Sequence, residues 1–267
     1  MDITRAIAEK VRDTVAAGLV SGVGVAEPGK MCVEAAVCYA LGLPHGDDPG
    51  CVAPSLRRLK IRLNDARWSS DTARAAGLRR LALVQLGSAG ALDEREFVRR
   101  VVDVTLRKAV PVGLRAAARR NPSHAVALEA AAVRCEQEGT RAAALEGERV
   151  ARAVYAAAAA AAAAAYAAAY AADAGNDADY AAAYAAAAAY AAADAAAYAA
   201  YAADADAADA VSAAADAASA AAYAAYAADA RARDRALEDY SEWVAEILID
   251  MQAPGCQWLD LVPKEAA

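Results

Sequence analysis

The sequence predicts an all-α protein, a tightly packed multi-helix array with long, alanine-rich antiparallel helices, and three observations carry that prediction. Between Ala151 and Ala230, 54 of 80 residues are alanine, the residue that loses no side-chain entropy in a helix. In the first 140 positions apolar residues recur at three- and four-residue spacing, the period of a helix with one buried face. The one alternating run, Leu59-Lys60-Ile61-Arg62-Leu63, has no second strand candidate to pair with, so it too reads as helix.

Ile3, Ile7, Val11, Val15 and Leu19 mark a first helix over 3–19, stopped by Ser21-Gly22-Val23-Gly24. A second begins after Pro28-Gly29, buries Met31, Val33, Ala36, Val37 and Ala40, and ends at Gly42, where glycine suits a left-handed cap. Asp47-Asp48-Pro49-Gly50 is a turn by composition. A helix over 55–63 breaks at Asn64-Asp65, and Ser69 or Ser70 caps the next, over 71–86. A fifth spans 93–108 and buries Phe97, Val101, Val104 and Leu106; Pro111 opens a short segment to Arg119. Asn121-Pro122, a capping residue followed by proline, starts a helix that ends at Gly139, where Thr140 caps another.

The long alanine helix is expected over 141–174, with a hairpin at Gly175-Asn176-Asp177. From Ala178 to Gln252 there is no Gly or Pro. One helix of that length would measure about 110 Å, so a break is expected at Asp204-Ala205-Asp206 or at Val211-Ser212. A methyl group buries little area, which demands close helix packing, with the tyrosine rings filling the gaps between helices. The pairs Tyr166/Tyr170, Tyr180/Tyr184, Tyr198/Tyr201 and Tyr223/Tyr226 each share a helical face. The other use of such rings is a tyrosine-lined binding surface. Leu237, Tyr240, Trp243, Val244, Ile247, Leu248 and Met251 make a final apolar face. Ala253-Pro254-Gly255 ends that helix, and Cys256, Trp258, Leu259, Leu261 and Val262 read as a C-terminal cap.

Charge divides the chain. Residues 1–150 carry 23 Lys/Arg against 18 Asp/Glu, and residues 151–267 carry 5 against 17. Two domains are therefore expected: a mixed, net basic helical domain over 1–140, and net acidic Ala/Tyr/Asp hairpins with a terminal cap over 141–267, packed on the first. No targeting signal or convincing membrane span is visible, which makes cytoplasmic residence the expectation. Five cysteines, odd in number and widely spread, read as reduced thiols.

Chemistry has few candidates. Cys32 lies near a predicted helix start, where the dipole and free amides lower a thiol pKa, and His45, oriented by Asp47, or His124 would be its base. That set would make a cysteine-dependent enzyme. Cys32, Cys38, His45 and Cys51 lack the close pairing of a zinc knuckle, and Asp47-Asp48 lacks a calcium-loop pattern, so no metal and no cofactor are expected. Arg57, Arg58, Lys60, Arg62 and Arg67 form a basic run, with Trp68 beside it for stacking on a base. They are candidates for a polyanion, although nucleic acid is not the expected partner of an acidic protein. No GxGxxG or GxxxxGK loop occurs.

The tandem alanine-rich helices with spaced aromatic and charged residues, ending in Ala253-Pro254-Gly255-Cys256-Gln257-Trp258-Leu259, resemble predicted bacterial immunity proteins of the all-helical, alanine-rich kind. The likeness covers about 141–261. It implies a non-catalytic protein that binds and neutralises a cognate toxin, and it transfers no catalytic residue. The expected function is accordingly a protein–protein interaction module, with Tyr166, Tyr170, Tyr198, Tyr201, Tyr223 and Tyr226 as its interaction residues and another protein as its partner.

Overall fold

The computed structural model describes residues 2–172, 177–203, 205–228 and 232–263, apart from the side chains of 162–172, 177–182, 207, 208 and 228. The expected hairpin at Gly175-Asn176 and the side chains of Tyr166 and Tyr170 lie outside the described residues. The helices are α1 (Arg5–Ala16), α2 (Val33–Leu41), α3 (Pro54–Asp65), α4 (Asp71–Val84), α5 (Glu94–Val104), α6 (Val110–Arg120), α7 (Ala125–Glu138), α8 (Arg141–Ala172), α9 (Asp177–Ala202), α10 (Ala207–Ala228) and α11 (Ala232–Asp250). A π turn, Thr105–Ala109, joins α5 to α6, and 3-10 turns occupy Pro122–His124 and Pro254–Leu261. The protein is all-α: among the described residues the only β-type pairing is an isolated bridge between Gly24 and Met31.

Local chemistry explains most boundaries. Thr4 Oγ1 caps α1 through Ile7 N, and Ser70 Oγ caps α4 through Ala73 N at 3.0 Å. Gly42 and Gly139 close α2 and α7 in the left-handed conformation. In the alanine half α9 ends at Ala202 and α10 begins at Ala207, where Asp206 Oδ1 accepts from Asp209 N at 3.1 Å; Val211-Ser212 lies inside α10.

Three local expectations are corrected. Met31 is buried but sits in the bridge before α2, which begins at Val33 with Cys32 as its N-cap. Pro111 stands in the first turn of α6, which runs to Arg120 as the expected short segment, but that segment is continuous with α5. The chain passes through the π turn, whose Val110 N–H reaches back to Thr105 O, and such a bulge accommodates a proline that offers no amide and crowds the preceding turn. Asn121 does not cap the following turn: its Nδ2 donates backward to Ala117 O at 2.8 Å and across to Ala185 O at 3.2 Å.

The described chain divides into two compact units, one of 1–101, 205–215 and 237–267, the other of 102–204 and 216–236. The division is discontinuous and does not fall at residue 140, because α10 and α11 each contribute to both units.

In the first unit α1 packs on α2 and α4, and the closing 3-10 turn packs on α4. Its buried side chains include Val11, Val15, Leu56, Leu59, Leu78, Phe97, Leu237 and Val244. Trp258 in the cap is only partly buried. Gly255 admits no side chain, since a Cβ there would stand 2.3 Å from Leu83 O. Inside the unit Lys60 Nζ lies 3.2 Å from Glu34 Oε1, both side chains fully buried. Neither group finds a further hydrogen-bonding partner among the described residues. Burial raises the Glu34 pKa and lowers that of Lys60, each against the pull of the other's charge.

In the second unit α8 and α9 run antiparallel, as the pairs Gly147 with Ala196, Arg152 with Asp194 and Tyr155 with Tyr190 show. The core between α6, α7, α8, α9 and α10 is mostly alanine, with Leu114, Leu128 and Val154 among the few larger members. A Cβ on Gly113 of α6 would stand 3.4 Å from Ala221 Cα and 3.6 Å from Ala192 Cα. The backbones there are close enough that a single methyl group would fill the space between them. Arg107 of the π turn donates to the carbonyls of Glu136, Gln137 and Glu138 at 2.8, 2.7 and 2.9 Å. It thereby satisfies the free C-terminal carbonyls of α7 and opposes that end of the helix dipole.

Two stability predictions follow from these cores. Glu34→Leu or Lys60→Met alone should cost about 3–5 kcal/mol in urea denaturation, because each strands a buried charge, while the double variant should lie near wild type or above it. Equal additive losses in the cycle would show that the pair is not coupled. Gly113→Leu should destabilise by about 1–3 kcal/mol by forcing helices apart, whereas Gly113→Ala, whose methyl only reaches contact distance, should be neutral or stabilising; a reversed order would show that the crossing is not tight.

Candidate functional site

Helix α9 buries most of its alanines, Ala191, Ala195 and Ala202 on the tyrosine side included, and exposes its described tyrosine rings. Ala188, Ala189, Ala192, Ala193, Ala196, Ala199 and Ala200 are buried, while Tyr184, Tyr190, Tyr198 and Tyr201 are exposed. At 3.6 residues per turn the four tyrosines fall within about 120° of the helix circumference and along about 25 Å of its length. The expectation that tyrosine fills gaps between helices is thus reversed for the described rings of α9: alanine forms the core there and tyrosine the surface. Such close backbone packing leaves no volume for a ring between helices, so a ring fits only on the outer face.

Around the stripe the partners are specific. Tyr155 of α8 meets Tyr190 edge to face at 5.3 Å between ring centroids. The Tyr190 hydroxyl donates to Asp194, and Arg152 Nη2 stands 3.9 Å from that carboxylate while its Nε binds Glu148 at 2.8 Å. Partial burial raises the Asp194 pKa, against the opposing pull of Arg152 and of Tyr190. Arg120 lies over the Tyr184 ring at 5.9 Å. Tyr198 (43 % exposed) and Tyr201 (55 %) make no ring contact or hydrogen bond among the described residues. On α10, Tyr223 is exposed and Tyr226 half-buried; their rings stand 6.3 Å apart and Arg233 covers Tyr226 at 4.6 Å. The six interaction candidates therefore separate: Tyr198 and Tyr201 stand open, Tyr223 and Tyr226 are engaged with each other, and Tyr166 and Tyr170 are outside the described side chains. Tyr155, Tyr184 and Tyr190 join the surface, a grouping the pairwise spacing of the sequence did not bring out.

The thiol candidate sits in a different environment. Cys32 is buried, its Sγ accepts from Ala35 N at 3.3 Å, and burial raises its pKa, opposite to what a nucleophile at a helix start requires. The helix amide acts as expected, but desolvation outweighs it. His45 Nε2 is bonded to Gly24 O at 3.0 Å, and His124 is exposed at the end of a 3-10 turn. The cavity beside Cys32 is about 50 Å³, bounded by Gly22, Val23, Asp47, Ile61 and Asn64. That holds water, not an organic substrate, for which about 300 Å³ is the usual lower bound. Among the described residues no group of His, Cys, Asp and Glu is arranged to hold a metal.

The basic run does not form one open face. Lys60 is buried against Glu34, Arg57 binds Asp48 at 2.7 Å, and Arg58, Arg62 and Arg67 are exposed. Trp68 cannot stack on a base: it is buried and its Nε1 donates to Leu63 O at 2.9 Å. No helix among the described residues is long and apolar enough to cross a membrane. Comparison with protein-family models, with curated proteins and with solved structures finds no match.

Thiol labelling distinguishes these environments. With iodoacetamide on the native chain at mildly alkaline pH, Cys256, the one half-buried thiol, should react first. Cys38 and Cys135, each pushed up to about 11 by burial, should be slow, as should Cys32. Fast labelling of Cys32 would restore the nucleophile.

Proposed function

We propose that this chain is a protein-interaction module whose contact surface is the tyrosine face of α9. The observation that carries the reading is the outward placement of Tyr184, Tyr190, Tyr198 and Tyr201 over a helix whose opposite face is buried alanine. Tyrosine concentrates binding energy in interfaces, because a rigid, amphipathic ring is desolvated with little loss of rotamer freedom. A face of four rings on one rigid helix is already ordered for that purpose. The occupant is a folded protein. Toxin neutralisation, as implied by the resemblance to alanine-rich immunity proteins, is one biological form of such binding and needs no catalytic group in this chain.

The test compares the full chain with Tyr198→Ala/Tyr201→Ala in capturing a partner, followed by affinity measurement with that partner purified. The double variant should keep its helicity, since alanine is native to this helix, and should bind at least about tenfold more weakly, about 1.4 kcal/mol. Cys32→Ser should bind as wild type. Unchanged affinity of the tyrosine variant removes the surface, and loss of cellular activity in a folded Cys32→Ser would put thiol chemistry in its place.

A further inference from the structure

We infer that the α9 face recognises arginine side chains on a basic surface of a different folded protein, with guanidinium groups lying on the Tyr198 and Tyr201 rings. The inference rests on the protein-binding reading and names the chemistry of the partner. Between Ala153 and Ala230 the chain has no Lys or Arg, while Asp194, Asp206, Asp209 and Asp216 punctuate the same stretch. This stretch of chain carries carboxylates and no cation of its own, and the arginines that reach α9, Arg120 and Arg152, come from α6 and α8 and are engaged with Tyr184 and Glu148. Its own charge is complementary to a cationic partner and repels phosphate backbones, which sets nucleic acid aside.

The fold itself supplies the geometry of recognition. Two arginines of the chain lie on rings of this set, Arg120 on Tyr184 at 5.9 Å and Arg233 on Tyr226 at 4.6 Å, while Arg152 approaches Tyr190 only through Asp194. Tyr198 and Tyr201 have the same exposed faces and no cation on them among the described residues. Asp194 lies one turn before Tyr198 on the same side of α9, so a guanidinium stacked on that ring can direct an N–H toward a carboxylate. Arginine is favoured over lysine because its planar, weakly hydrated head both stacks and donates in the plane. A second copy of this chain is a poorer source, since several of its arginines are already paired with its own carboxylates, Arg57 with Asp48, Arg80 with Glu242, Arg107 with Asp103 and Arg115 with Glu129 and Glu136.

The experiment titrates the full chain with three short peptides in which arginine, lysine or citrulline alternates with glycine, and follows tyrosine ring resonances assigned with Tyr198→Phe and Tyr201→Phe. The arginine peptide should shift the Tyr198 and Tyr201 signals and bind about two- to fivefold more tightly than the lysine peptide, and the citrulline peptide should not bind. Tyr198→Leu/Tyr201→Leu, with helicity preserved by circular dichroism, should erase the preference for arginine. Equal binding of the two cationic peptides, or shifts confined to other tyrosines, overturns the inference, as does a self-association of the chain that the leucine variant abolishes. If the captured protein still depends on Tyr198 and Tyr201 while the peptides show no preference, the arginine inference falls and the interaction reading stands. If capture is indifferent to both tyrosines, the interaction reading falls, and the arginine inference with it.

Discussion

Close approach of helix backbones is the constraint on which the alanine-rich unit depends. A methyl side chain removes little area from water, so its helices gain stability only if they approach with little more than methyl groups between them. At Gly113 a single added methyl would already reach contact distance with the Cα atoms of Ala221 and Ala192. Two consequences follow. Dispersion between many small atoms largely replaces the interlocking of large side chains, and the rings of α9 are displaced outward. The tyrosine stripe of α9 is therefore a product of the packing, and its rigidity comes from the same source.

Polar groups define the geometry that small side chains specify poorly. In the alanine-rich unit, Arg107 ties the π turn to the end of α7, Arg115 binds Glu136 at 2.8 Å between α6 and α7, and Asn121 bridges to α9. In the other unit, Asn64 accepts from Val33 N and donates to Val20 O, and Arg74 donates to the carbonyls of Asn64 and Leu19. The loop before α2 is thereby held against the end of α3. The buried Glu34 and Lys60 pair belongs to the same class, since desolvation opposes both charges and makes an imperfectly matched arrangement expensive.

The candidate site was legible in part. Spacing identified the tyrosines as facial residues and marked Tyr198 and Tyr201 as a pair, but a spacing of three cannot say whether a face points in or out. Alanine is compatible with both sides of a helix, so the usual contrast between apolar and polar faces is missing from α9. Cys32 was correctly placed at a helix start, yet the sign of its pKa shift depended on burial that only neighbouring elements create. Lys60 read as one of a basic run because its partner Glu34 is distant in sequence.

By itself the sequence determined the all-α class, most caps and turns, and that the long alanine stretch is interrupted, at Asp204-Ala205-Asp206 or at Val211-Ser212, because these follow from local propensity and from side chains that bond their own backbone. It also determined the charge asymmetry and the acidic, cation-free character of the alanine segment. Only the tertiary structure decided that the units are discontinuous, that Pro111 is absorbed through a π turn, and that tyrosine faces outward from a core of alanine. Those outcomes depend on the volume left between elements far apart in the chain, and volume is a property of the packed assembly that no local pattern encodes.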